Sequence, residues 1–164
     1  MSFQLRPATL LDIPQILAIV NHTIAMSTAN YHYEAQTLAE QTAWFESKRN
    51  HNFPVWVATI EETVVGFGTY GTFREKIGYQ FTVEHSVYVH ENQQGKGIGK
   101  ALLNQLITQA KAEGFHVMVG GIDAENTHSI TFHQRMGFEE VGHLKQVGYK
   151  FDRWLDLCFM QRIL

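Results

Sequence analysis

The chain has 164 residues, 45% of them hydrophobic and 18% charged, with a formal net charge of −3 at pH 7. That length fits one domain, 1–164, with a real core, and the composition is that of a water-exposed globular protein. The absence of a basic excess argues against nucleic acid as a main partner, and no apolar run is long enough to read as a membrane span.

Residues 1–7 alternate polar and apolar as a strand does. They lack the charged head and apolar run of a signal peptide, so cytoplasmic residence is the expectation. Asp12 can cap a helix with Gln15 at its third position and Ile13, Ile16, Leu17, Val20 and Ile24 on one face. Thr37 and Glu40 form a second capping pair ahead of Trp44 and Phe45. Residues 55–60 and 64–70, separated by Glu61-Glu62-Thr63, read as an antiparallel hairpin.

A strand over residues 80–89 enters a glycine-rich turn, which leaves as a helix carrying Leu102, Leu103, Leu106, Ile107 and Ala110 and ends near Gly114. Residues 115–122 are apolar enough for a buried strand, and strand, helix and strand in that order imply a right-handed crossover between parallel neighbours. A helix over 126–136 closes at Gly137, and strands follow at 139–145 and 154–162. The lone Cys158 has no partner for an internal disulfide and reads as packing in an apolar run.

The turn carries the chemistry. Glycines at 95, 97 and 99 remove the Cβ atoms that would hold an anion away from the backbone. The following helix adds unpaired N–H donors and the positive end of its dipole, so the turn suits phosphate. A P-loop needs a hydroxyl after the lysine, and Lys100 is followed by Ala101. A dinucleotide fold places such a turn near its first strand, whereas this one lies past mid-chain. Downstream, Asn126, Ser129 and His133 are spaced three and four apart and so project one way from a helix. Taken alone, Asn126 is also a plain N-cap and His133 a half-buried histidine. None of the nine histidines falls in an HExxH or Cys-His ligand set, so no metal is expected.

The pattern Gln94-x-x-Gly97-x-Gly99, followed by Asn126-x-x-Ser129, His133 and Gly137-Phe138, resembles the two cofactor motifs of the GCN5-related N-acetyltransferases. The order of elements is similar to that family's along nearly the whole chain. Residues 28–31 with Glu34 and Thr37, residues 73–75 with 81–89, and residues 146–156 resemble its phosphinothricin and methionine sulfoximine acetyltransferase branch. The resemblance implies an α/β (α+β) acyl-CoA N-acyltransferase fold. Its sheet would be mixed and mostly antiparallel, with a central splayed parallel pair flanked by helices. It implies acetyl-CoA as co-substrate, held by Val87, Tyr88 and Val89 at the strand end and by Gln94, Gly95, Lys96, Gly97, Ile98, Gly99 and Lys100. Asn126 would bond the pantetheine amide, with Ser129 and His133 beside the arm.

On the acceptor side the resemblance implies Tyr31, Phe73, Arg74, Glu75 and Glu84, a small amino-acid analogue as substrate, and a homodimer with residues 146–153 near the partner. A substrate ammonium must lose a proton before it attacks a thioester, and Glu84 corresponds to the branch's glutamate base. A carboxylate of ordinary acidity is weak for that task, so a bridging water or a raised pKa is needed; the alternative is a solvated strand carboxylate. A backbone N–H near Val89 suits the oxyanion. His133 stands where many relatives have a tyrosine acid. Arg74 reads either as a fork for a small anionic group or as a loop arginine, and Lys145 and Lys150 are further cations without a fixed aim. Acetylation of a protein terminus or another amine, and a non-catalytic coenzyme A sensor, are the competing readings.

Overall fold

The structure is a computed structural model and describes residues 2–164. Its elements are β1 (Gln4–Pro7), α1 (Ile13–Met26), α2 (Leu38–Asn50), β2 (Val55–Ile60), β3 (Thr63–Thr72), β4 (Thr82–Val89), α3 (Ile98–Ala112), β5 (Val117–Asp123), α4 (Thr127–Arg135), β6 (Glu139–Lys150) and β7 (Arg153–Ile163). The strands form one sheet in the order β1-β2-β3-β4-β5-β7-β6. Every neighbouring pair is antiparallel except β4 and β5. The strand expected over 1–7 is thus observed from Gln4, and Met1 lies outside the described residues.

Alternation along the strands sends one set of side chains to each face. One face packs Tyr70, Val83, Met118 and Met160 under Leu103, Leu106 and Ala110 of α3. The other packs Val55, Val57, Val64 and Phe67 under α1 and Phe45 of α2. The α1 stripe is Ile13, Ile16, Ile19, Val20 and Ile24; Ile19 replaces the expected Leu17, which stays half-buried. Each such side chain contributes about 2 kcal/mol on burial.

Local chemistry sets the connections. Glu61 and Glu62 adopt φ of 48° and 65°, and two successive left-handed residues match the twist of a two-residue hairpin. At the start of α2, Thr37 N–H donates to Glu40 Oε2 at 2.7 Å while Glu40 N–H donates to Thr37 Oγ1 at 3.2 Å. The expected cap at Asp12 is different. Its carboxylate is held by the Arg6 fork at 2.8 Å and 2.7 Å and by the Thr9 N–H at 2.7 Å, so it clasps β1 instead of capping α1. Gln15, its expected capping partner, accepts from the Val64 N–H at 2.8 Å. Residues 146–153 also differ from expectation. β6 runs on to Lys150 and turns at Phe151 and Asp152, whose φ values are 54° and 55°. An irregular register between Leu144 and Gly148 absorbs the extra residues.

Candidate active site

The parallel pair β4–β5 is short. Thr82, Val83 and Glu84 register against Val117, Met118 and Val119, and there the pairing ends. Beyond that point β4 stays with β3 as far as Val89, while β5 stays with β7 as far as Asp123, so a gap opens between them. His90 N–H donates to Val65 O at 2.8 Å, toward β3. Period two then turns the N–H groups of Val87 and Val89 toward the gap. The half-buried Tyr88 ring packs beside Phe67, 5.2 Å between centroids, and its backbone pairs with β3.

At the mouth of the gap Gln94 Nε2 donates to Val89 O at 3.4 Å. Gly95 and Gly97 adopt φ of 75° and 82°, and a Cβ at either would meet nothing within 4 Å. Backbone handedness demands these glycines, and the space above them is open. The first α3 bond runs from Ala101 N–H to Gly97 O at 3.0 Å, which leaves the N–H groups of Ile98, Gly99 and Lys100 without helical acceptors. Buried Ile98 roots the helix, Lys100 is exposed, and Lys96 Nζ is tied to Gln93 Oε1 at 2.7 Å. Unpaired helix N–H donors beside open space, next to a gap edged by free amides, fit a diphosphate carrying an extended amide arm.

On the α3/α4 face, Asn126 Oδ1 accepts from Ser129 N–H at 3.0 Å and caps α4. His133 is buried. Its Nδ1 lies 2.7 Å from Ser129 O and its Nε2 lies 3.2 Å from His85 Nε2. A carbonyl only accepts, which assigns the proton to His133 Nδ1 and makes His85 Nε2 the donor to His133 Nε2. His85 Nδ1 is then a buried acceptor with no partner. Burial holds His85 down to about 3 and lowers His133 as well. Both rings crowd Gly120, where a Cβ would come 2.9 Å from His85 Nε2. The two nitrogens of His133 are therefore engaged inside the protein.

Glu84 projects to the opposite face. Its Oε1 would lie 3.3 Å from a Cβ on Gly121, among Leu157 and Phe159. Burial pushes its pKa up, and nearby Arg74 pulls it back. The exposed Arg74 guanidinium stacks 4.7 Å from the Phe73 ring, and Phe73 meets Phe159 edge-on at 6.4 Å. Glu75 is exposed beside them.

Tyr31 lies in the α1–α2 loop against Gly148, where a Cβ would come 2.5 Å from its ring. Its hydroxyl is buried without a partner, and burial, then Asp123, raises its pKa. Lys150 Nζ donates to Ile24 O at 2.6 Å, Ser27 O at 2.8 Å and Asn30 O at 2.6 Å. Thr28 Oγ1 donates to Asp123 Oδ2, and Tyr33 Oη to Tyr149 O. Lys150 is thus a loop anchor and not a free cation, and Lys145 is exposed. The sequence reading missed Lys150 in this role and also Gly120-Gly121, whose one signal was a glycine pair inside an apolar strand.

A parallel pair that opens beside a donor-rich glycine turn, with a carboxylate at its apex, defines the class of acyl-CoA N-acyltransferases. The model of the acetyltransferase (GNAT) family matches residues 19–138, and the chain belongs to that family. It is 46% identical, over 98% of its length and 94% of the other protein's, to the L-methionine sulfoximine/L-methionine sulfone acetyltransferase of Pseudomonas aeruginosa. Among solved structures it resembles a ribosomal-protein-alanine N-acetyltransferase from Brucella melitensis, with 45% identity, TM-score 0.97, and 98% and 99% of the two chains covered. It also resembles a putative acetyltransferase from Salmonella typhimurium with its cofactor acetyl-CoA, with 40% identity, TM-score 0.96, and 100% and 95% covered. Among the described residues no helix is long and apolar enough to cross a membrane.

Proposed function

We propose that this chain is an acetyl-CoA-dependent N-acetyltransferase whose acceptor is the α-amino group of a small amino-acid analogue of the methionine sulfoximine, methionine sulfone or phosphinothricin type. The observation that carries this reading is the half-buried Glu84 at the last paired residue of β4, where the gap begins. The amides of residues 95–100 hold the donor's diphosphate, and its arm lies along the gap with Asn126 and Ser129 to one side.

Glu84 takes a proton from the substrate ammonium, directly or through one water, and its raised pKa supports that role. The amine then attacks the thioester carbon, and the Val87 and Val89 N–H groups stabilise the oxyanion. The carbon–sulfur bond breaks, coenzyme A leaves unaided as the thiolate of an ordinary thiol, and the second proton of the attacking nitrogen passes to that thiolate or to solvent. For His133 to serve as the acid, it would have to release Ser129 or His85. Tyr31 and Phe73 wall the acceptor side, with Arg74 and Glu75 at its rim.

The similarity to the methionine sulfoximine/sulfone enzyme supports this acceptor class, and that to a ribosomal-protein-alanine enzyme favours a protein α-amine as second reading. On the first reading residues 1–164 form one catalytic domain acting in the cytoplasm as a homodimer. Exposed Val141, Leu144, Val147 and Trp154 on the terminal hairpin support a partner there. Thiol release from acetyl-CoA, measured with methionine sulfone, methionine sulfoximine, phosphinothricin and an alanine-ended peptide, tests the assignment. Turnover restricted to the peptide overturns the first reading, and binding without turnover on any amine leaves a sensor. Sedimentation equilibrium at twice the chain mass is the expected result for the dimer.

A further inference from the structure

Lys48, near the end of α2, is an amine outside this machinery. Its Nζ donates to Tyr70 O at 2.9 Å and lies 6.0 Å and 5.6 Å from the ring centroids of Trp44 and Phe53. Among the described residues it takes part in no ion pair with a carboxylate. A Cβ on Gly71 would come 2.7 Å from Nζ, so the amine sits directly over Gly71. Gly71 is the register partner of Glu84. Directly opposed residues share a face with Cβ atoms about 5 Å apart, which puts the amine within about 8 Å of Glu84 Cβ. A half-buried amine with one hydrogen bond therefore lies one strand away from the gap, on the sheet face that carries Glu84.

We propose that Lys48 is a second acceptor: with no amino acid bound, its ε-amine takes the acetyl group from acetyl-CoA and the protein becomes acetylated at this position. The inference rests on the cofactor reading above. The Nζ lone pair forms the carbon–nitrogen bond, the carbon–sulfur bond breaks, coenzyme A leaves as thiolate, and the proton shed by Nζ passes to Glu84 or solvent.

Attack needs the neutral amine, and burial lowers Lys48 to about 8, where an exposed lysine titrates near 10.4. Across the sheet register Glu84 shares its face, exposed Arg49 lies beside it on α2, and burial alone accounts for the lowered pKa. From β3 it meets the Tyr70 carbonyl and Gly71, while the Tyr70 hydroxyl points away to Glu113.

The test incubates the whole protein with acetyl-CoA alone and follows acetyl incorporation by intact mass and peptide mapping. Lys48 is expected to gain one acetyl group about tenfold or more faster than exposed Lys76, Lys96, Lys100, Lys111 and Lys145, given its larger neutral fraction. Saturating methionine sulfone should suppress the label, and Lys48→Arg, which keeps the charge, should abolish it. Label spread evenly over the exposed lysines, or label at Lys48 that methionine sulfone leaves unchanged, overturns the proposal. Calorimetry on the same sample separates the two failures. Acetyl-CoA binding without Lys48 label overturns the proposal alone, and no binding overturns the cofactor reading and the proposal with it.

Discussion

At Glu84, burial opposes the carboxylate's charge and makes it a better base than a carboxylate in water, while Arg74 limits the gain. Glu84→Gln is expected to lower kcat by about a hundredfold or more with acetyl-CoA affinity unchanged. In the parent enzyme the rate should rise with pH through this raised pKa, so the acid limb lies above the ordinary glutamate range; in Glu84→Gln that limb should vanish. A kcat profile against pH checks both. On the other face, His85 titrates at about 3 in the folded protein against 6.5 for the free side chain. Between those values the unfolded chain binds a proton that the native state refuses, so stability falls as pH drops through the window. Burial lowers His133 in the same direction. Urea midpoints between about pH 7 and about pH 4 should fall less steeply in His85→Phe than in the parent.

Among the elements, the proposed function gives the glycine turn and the α1–α2 loop separable roles. Gly97→Ala places a side chain at φ 82°, at a cost of about 1–2 kcal/mol. It also puts a methyl group in the open space above the turn. It should weaken acetyl-CoA binding in calorimetry while leaving the amino-acid KM nearly unchanged. Lys150→Met removes three bonds to the loop that carries Tyr31. Its expected effect is the reverse, a raised amino-acid KM with unchanged acetyl-CoA affinity, read from initial rates with each substrate varied. The Thr37–Glu40 box and the Glu61-Glu62 turn were legible because each is decided within a few neighbouring residues. Asp12 was not, because Arg6 on the preceding strand competes for its carboxylate. The terminal hairpin was cut short for a similar reason: an irregular strand interrupts the alternation that marks it.

For the whole molecule, the decisive event is a divergence: β4 keeps its β3 partner to Val89 while β5 leaves after Val119 and pairs on with β7. That leaves amides free inside a sheet, a state that costs stability unless a ligand or water completes it.

The sequence by itself determined the element order and the glycine turn, because helix periodicity and strand alternation act over short stretches of chain; of the two readings open for Asn126, the structure shows the cap. The sequence also marked Glu84 and placed it one residue from His85. Only the tertiary structure decided what those neighbours do. The pleat turns Glu84 toward Arg74 and Leu157 but His85 toward His133, and Gly120 and Gly121 make room for them on a strand more than thirty residues away. Side chains that meet across strands are set by register and face, and neither is written at any single position.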